Sequence, residues 1–144
     1  MLADLDQTLI HTTNRPPRPN ENASDIVCYK LSGNTYYTKL RPHVKEFLER
    51  MHPLYEMHVV SFGERVYAHK IAELLDPTAL GYFNHRVLSR NELVSPVHKT
   101  PNLKSLFPNG EELLVIIDDR ADVWQFSDAL IRVRRWFRDF LKNL

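Results

Sequence analysis

The chain has 144 residues, of which 43% are hydrophobic and 26% charged, and a formal net charge of +1. That length and balance suit one globular domain with a sizeable core, and the near-neutral charge gives no general basic surface for nucleic acid. The lone Cys28 excludes an intrachain disulfide and a cysteine-based zinc site, and no apolar run approaches the ~20 residues of a membrane span.

The chain opens on a short buried strand, 2–5, whose end carries Asp4 and Asp6. A sheet protein usually extends further upstream of so short a strand, which points to a chain truncated at its start. Residues 14–25 are polar and rich in Pro and Asn, hence a loop. Residues 26–31 and 35–40 are rich in β-branched and aromatic side chains around Ser32-Gly33-Asn34, which predicts a hairpin insertion over about 26–40. Pro42 suits a first helical position, and Val44, Phe47, Leu48 and Met51 follow at helical spacing. Residues 57–62 predict a core strand. A helix follows Gly63 with Val66, Ile71, Leu74 and Leu75 inward, and Asp76-Pro77 stops it. Short strands are expected over 83–88 and 130–133, and a short helix over 101–107. Residues 113–117 form a continuous apolar run ending at Asp118-Asp119, the pattern of a buried parallel strand. Phe137, Phe140, Leu141 and Leu144 predict an amphipathic C-terminal helix. Strands alternating with helices give an α/β class: a central parallel sheet flanked by helices, in a single domain over 1–144.

Two acidic pairs, Asp4/Asp6 and Asp118/Asp119, thus end two core strands, the edge where open α/β sheets bind ligands. Such carboxylates merely capping strand ends is the plain alternative. Gathered around one point, they would repel and several would be forced to protonate. A hard divalent cation such as Mg2+, with its oxygen ligands, relieves that repulsion.

Asp4-Leu5-Asp6-Gln7-Thr8 resembles motif I of the haloacid dehalogenase superfamily, and more narrowly the Asp-x-Asp-x-Thr phosphatases acting on the RNA polymerase II carboxy-terminal domain. The likeness continues through Leu40-Arg41-Pro42-His43, Tyr67-Ala68-His69, Leu75-Asp76-Pro77, Arg86-Val87-Leu88-Ser89-Arg90, Leu106-Phe107-Pro108, Ile116-Ile117-Asp118-Asp119-Arg120 and Asp122-Val123-Trp124. The Asp118-Asp119 pair resembles the TFIIF-associating subclass, where the small phosphatases have Asp-Asn. The resemblance implies a three-layer Rossmann-like fold and a Mg2+-dependent protein serine phosphatase working through an aspartyl-phosphate. It further implies the phosphorylated heptad repeats of RNA polymerase II as substrate, the general transcription factor TFIIF as a further partner, and the nucleus as location. Longer relatives often carry a phosphopeptide-binding BRCT domain. The expectation for this chain is a catalytic domain with none appended.

By the same resemblance, Asp4 is the nucleophile, and Asp6 the general acid and then base, with its backbone carbonyl on Mg2+. Thr8 orients Asp4, and Ser61 donates to a phosphoryl oxygen. Lys99 neutralises Asp4 and the phosphoryl group. Asp119 binds Mg2+, and Asp118 holds Lys99 or the metal's waters. Arg41 contacts substrate phosphate or braces the site. Each has a plainer reading: Ser61 satisfying a strand-end backbone group, Thr8 capping a helix, Lys104 standing in Lys99's place, Arg41 paired with Asp76. Asp76 itself reads as structural, and Arg132, Arg134, Arg135 and Arg138 as a solvated face. Asn91-Glu92 replaces the family's usual acidic pair. With only a loop, a hairpin and a helix between motif I and Ser61, the site should stay open to an extended peptide, its prolines flanked by Tyr29, Tyr36 and Tyr37. A small-molecule phosphatase of this superfamily and a catalytically silent binding module of the same fold remain the other two readings.

Overall fold

The structure, a computed structural model, describes residues 1–137. The expected C-terminal helix therefore falls outside the described residues except for Phe137.

Five parallel strands make the central sheet: β1 (Leu2–Ala3), β5 (His58–Val60), β6 (Val87–Leu88), β7 (Ile116–Asp118) and β8 (Leu130–Arg132), in the order β6-β5-β1-β7-β8. Neighbouring residues on a strand face opposite ways, and the core divides accordingly. Ala3, Val59 and Ile117 enter one layer with Leu48 of α1 (Val44–Met51) and Ile71 and Leu75 of α2 (Arg65–Leu75). Leu2, Val60 and Ile116 enter the other with Leu103 of α3 (Pro101–Leu106), Val123 and Trp124. The predicted parallel sheet between helical layers is what the chain forms.

A second, antiparallel sheet has the order β2-β4-β3, from β2 (Ile10–Thr13), β3 (Ile26–Leu31) and β4 (Asn34–Leu40). The β3–β4 hairpin was expected. Its turn residues Ser32 and Gly33 have φ of 50° and 82°, the left-handed pair that matches the twist of a two-residue hairpin turn. The third strand, β2, was not expected. Ile10-His11-Thr12-Thr13 has no apolar alternation, and it is a strand because β4 supplies its ladder.

Several boundaries differ from expectation. Strand β7 begins at Ile116, because Leu114 still closes a turn on the Glu111 carbonyl, and Leu113 is 92% exposed. Val66 faces solvent: Ala68, Ile71 and Leu75 define the buried stripe of α2, and Val66 lies on the opposite side of that helix. Helix α1 begins at Val44, after His43 in a left-handed conformation, so Pro42 precedes the helix rather than opening it. Asp76 ends α2 and accepts from the backbone N–H groups of Leu80, Gly81 and Tyr82. Among the described residues no helix is long and apolar enough to cross a membrane.

Candidate active site

The central strand β1 and its neighbours β5 and β7 all end at one edge, so their following residues Asp4, Ser61 and Asp119 arrive together. Asp4 lies just beyond Ala3, with its N–H bonded to the Ile117 carbonyl. The chain then curls back: Gln7 has a φ of 62°, and the N–H groups of Thr8, Leu9 and Ile10 all converge on the Leu5 carbonyl. This curl returns the Thr8 hydroxyl to Asp4. Thr8 donates to Asp4 Oδ2 at 3.0 Å and lies 3.3 Å from Asp119 Oδ1, while accepting the Asp119 N–H at 3.1 Å. Thr8 is therefore no helix cap; it ties the two strand ends together.

Lys99 crosses between the acids. Its ammonium is 2.7 Å from Asp4 Oδ1 and 2.8 Å from Asp118 Oδ2, and the residue is 2% exposed, whereas Lys104 points to solvent. Phe62 and Trp124 present ring faces to it at 5.2 and 5.9 Å. Burial works against the ammonium charge, but Asp4 and Asp118 outweigh it and hold the group above its ordinary value. Asp4 answers in the other direction. Burial, reinforced by Asp118 and Asp6 against the pull of Lys99, raises its carboxyl to about 7. Both oxygens of Asp118 accept, with Trp124 Nε1 also on Oδ2 at 2.8 Å and the Arg120 N–H on Oδ1 at 3.0 Å.

Asp4, Asp118 and Asp119, all buried, each offer an oxygen within 4.8 Å of the others. Three carboxylates facing one buried ammonium form a hard, oxygen-only donor set with excess negative charge, which fits a small divalent cation. The Asp6 side chain lies outside this cluster. Its Oδ1 accepts from the Tyr67 hydroxyl at 2.5 Å, and burial holds its carboxyl above the ordinary value.

The remaining expected residues take defined places. Ser61 follows β5, and its Oγ accepts the Gly63 N–H at 3.0 Å, which satisfies a strand-end group and leaves the hydroxyl proton to give. Arg41 does not pair with Asp76. Its guanidinium donates to the carbonyls of Thr8 and Arg134, both at 3.0 Å, and so braces the motif loop against the chain beyond β8. The arginine run is not wholly a solvated face: Arg135 Nε lies 2.7 Å from Asp119 Oδ2 and Arg132 Nε 3.2 Å from the Asp119 carbonyl. Tyr29 is buried and stacked on Tyr36 at 6.0 Å, so it cannot flank a peptide. Tyr36 remains in place to do so.

A small cavity of about 140 Å³ opens over Asp4, Lys99, Asp118 and Asp119. It meets an open groove of about 590 Å³, lined by Thr12, Asn34, Tyr36 and Tyr67, at Asp6 and Gly63, which border both.

The family model of the NLI interacting factor-like phosphatases matches residues 1–143. The chain belongs to that family. Among its relatives, an RNA polymerase II C-terminal domain phosphatase of Caenorhabditis elegans is 54% identical over 142 residues, covering 96% of this chain and 21% of the relative. The human protein of the same name is 48% identical over 138 residues, covering 94% of this chain and 14% of the relative. A solved structure of Fcp1, an essential RNA polymerase II CTD phosphatase, superposes with a TM-score of 0.84 at 36% identity, covering 94% of this chain and 41% of that one. The chain thus spans about a fifth or less of these two relatives, and its fold is that of this phosphatase family.

Sequence reasoning named the acids, Thr8 and Lys99 but assigned no role to Tyr67, Trp124 or Arg135. Tyr67 and Trp124 stood inside quoted motif segments, which was their signal. Arg135 had none, because its pairing depends on how the chain passes over the sheet edge after β8.

Proposed function

We propose that this chain is a Mg2+-dependent phosphoserine phosphatase that forms a covalent acyl phosphate on Asp4, and that its substrate is the phosphorylated heptad repeat of RNA polymerase II. The observation that carries the reading is the Lys99 ammonium held between Asp4 and Asp118 beside Asp119, a buried charge arrangement a binding module does not need.

Asp4 presents a carboxylate oxygen to phosphorus. As the Asp4 O–P bond forms, the bond from phosphorus to the serine oxygen breaks, and Asp6 gives its proton to that oxygen. In the second step water attacks phosphorus, Asp6 takes the water's proton, and the Asp4 O–P bond breaks to release inorganic phosphate. Lys99 offsets negative charge on Asp4 and the transferring group throughout. Thr8 holds Asp4 Oδ2, and the Ser61 proton is available to a phosphoryl oxygen. Asp4, Asp119 and the Asp6 carbonyl would hold the Mg2+, with Asp118 holding Lys99 and the metal's water shell. Bound there, the cation supplies charge neutralisation for the nucleophile and the phosphoryl oxygens.

The small cavity fits a phosphoryl group, and the open groove beyond Asp6 suits an extended chain. The names of the relatives supply the polymerase repeat as substrate, and with it a nuclear location. Association with TFIIF rests on the sequence resemblance alone. The test is Mg2+-dependent turnover of heptad peptides phosphorylated at serine against turnover of sugar phosphates. The peptides are expected to be hydrolysed faster; equal or better turnover of the sugar phosphates would remove the peptide substrate.

A further inference from the structure

Asp6 is the end of a longer polar network. Tyr67 Oη lies 2.5 Å from Asp6 Oδ1 and 2.9 Å from Thr12 Oγ1. Thr12 Oγ1 lies 2.7 Å from Thr38 Oγ1, which lies 2.6 Å from the Tyr29 hydroxyl. These contacts run unbroken from the motif loop, across α2, into β2, β4 and β3. Thr38 has no exposed surface and Tyr29 is 9% exposed, so solvent does not readily replace the inner links. The Tyr36 ring lies 6.0 Å from Tyr29 and 6.4 Å from Tyr67, walling the chain on the groove side.

Proton counting gives the chain a direction. Each hydroxyl has one proton to donate, and an ionised carboxylate only accepts. The Asp6–Tyr67 bond must then use the Tyr67 proton. Tyr67 can only accept from Thr12, Thr12 from Thr38, and Thr38 from Tyr29. With Asp6 ionised, no other assignment makes every bond. Burial and the Asp6 charge push the Tyr67 hydroxyl far above its ordinary value, so it keeps the proton it donates. Hydroxyls bonded in series polarise one another, which strengthens the last donor.

We propose that this chain of four hydroxyls, from Tyr29 through Thr38 and Thr12 to Tyr67, positions the Asp6 carboxylate by holding Oδ1, so that Oδ2 is the oxygen that exchanges a proton with the leaving serine. The inference rests on the reading of Asp6 as the acid and base. Oδ1 accepts from Tyr67 whether Oδ2 is protonated or not. No proton therefore travels along the chain: the Oδ2 proton passes to the serine oxygen as the serine O–P bond breaks and the Asp4 O–P bond forms. Tyr67 and Thr12 are positioning residues. The groove walls and the aim of the acid are set by the same three-stranded sheet, since Thr12, Asn34 and Tyr36 line the groove.

The test exploits the leaving group. Nitrophenolate departs without a proton, whereas a serine alkoxide needs one. In the first turnover, before water cleaves the shared acyl phosphate, misplacing the acid should therefore slow peptide release more than nitrophenolate release. With the 144-residue chain and Mg2+, Tyr67→Phe is expected to lower the first-turnover release rate at saturating phosphoserine heptad peptide about tenfold more than that of nitrophenolate from saturating p-nitrophenyl phosphate. Thr12→Val should show the same split at about threefold, and Thr12→Ser should restore it. Equal losses of first-turnover release on both substrates, or a Thr12→Val variant with an unchanged first-turnover peptide rate, would overturn the chain as a positioning device. A wild-type chain that hydrolyses neither substrate would overturn the phosphatase reading, and this one with it.

Discussion

Two polar networks meet in the Asp4–Thr8 loop, and they are built in opposite ways. On the parallel-sheet side, Asp4, Lys99, Asp118 and Asp119 gather full charges in a buried space where like charges outnumber their counter-charge. On the antiparallel side, Tyr67, Thr12, Thr38 and Tyr29 are neutral, and each proton finds one acceptor. The neutral network is complete without a partner. The charged one is under stress, and a raised Asp4 pKa is the sign of it. In the proposed mechanism, chemistry on a phosphate dianion uses the stressed side, and aiming a proton uses the neutral side.

Removing the buried Lys99 ammonium should have the largest effect. Lys99→Met leaves Asp4 and Asp118 facing each other without a counter-charge. Turnover should fall at least about a hundredfold, and unfolding free energy should drop by about 3 kcal/mol in urea titrations without metal. A variant with near-wild-type turnover would take Lys99 out of the reaction.

Thr38→Val removes the middle of the neutral network. Thr38 is fully buried and bonded on both sides, so about 2 kcal/mol of stability should be lost. First-turnover release of nitrophenolate from p-nitrophenyl phosphate at temperatures below melting should stay close to wild type. A large loss on that substrate would show that the two networks are not separable.

The smallest effect is a pH dependence of the charged side alone. In EDTA the folded chain holds a proton on Asp4 up to about 7, above the ordinary carboxylate value. A carboxyl raised on folding binds more protons in the folded state, so its stabilising contribution is full below the ordinary value and is lost as pH rises through about 7. Asp4→Asn cannot titrate there. Its melting temperature should gain on wild type between pH 5 and pH 8 in EDTA, and the gain should shrink with Mg2+ present. A constant difference across that range would contradict the assigned shift.

Much of the charged side was legible in the sequence because its parts are contiguous. Strand ends carry their acids in one or two residues, and apolar runs such as Ile116-Ile117 announce the strand that delivers them. The neutral side was not. Its hydroxyls are spread from Thr12 to Tyr67, they sit among ordinary β-formers, and their order depends on a strand, β2, that has no pattern of its own and exists because β4 pairs with it. Val66 and Leu113 were misplaced for a related reason: apolar character fixes neither the phase of a helix nor the residue at which a strand begins. Arg135 was read as solvated because charge runs are solvated unless the chain path brings them to a buried acid, as it does at Asp119.

The proposed reaction passes through a phosphoryl group bonded to Asp4, and that bond can be trapped. The chain is mixed with Mg2+ and a phosphoserine heptad peptide, quenched during turnover and treated with borohydride, which reduces an acyl phosphate to an alcohol. Peptide mapping should then show homoserine in place of Asp4 and nowhere else, and none in Asp4→Asn, which should also lack turnover. Steady turnover with Asp4 unmodified, or homoserine at Asp6, Asp118 or Asp119, would contradict nucleophilic catalysis by Asp4.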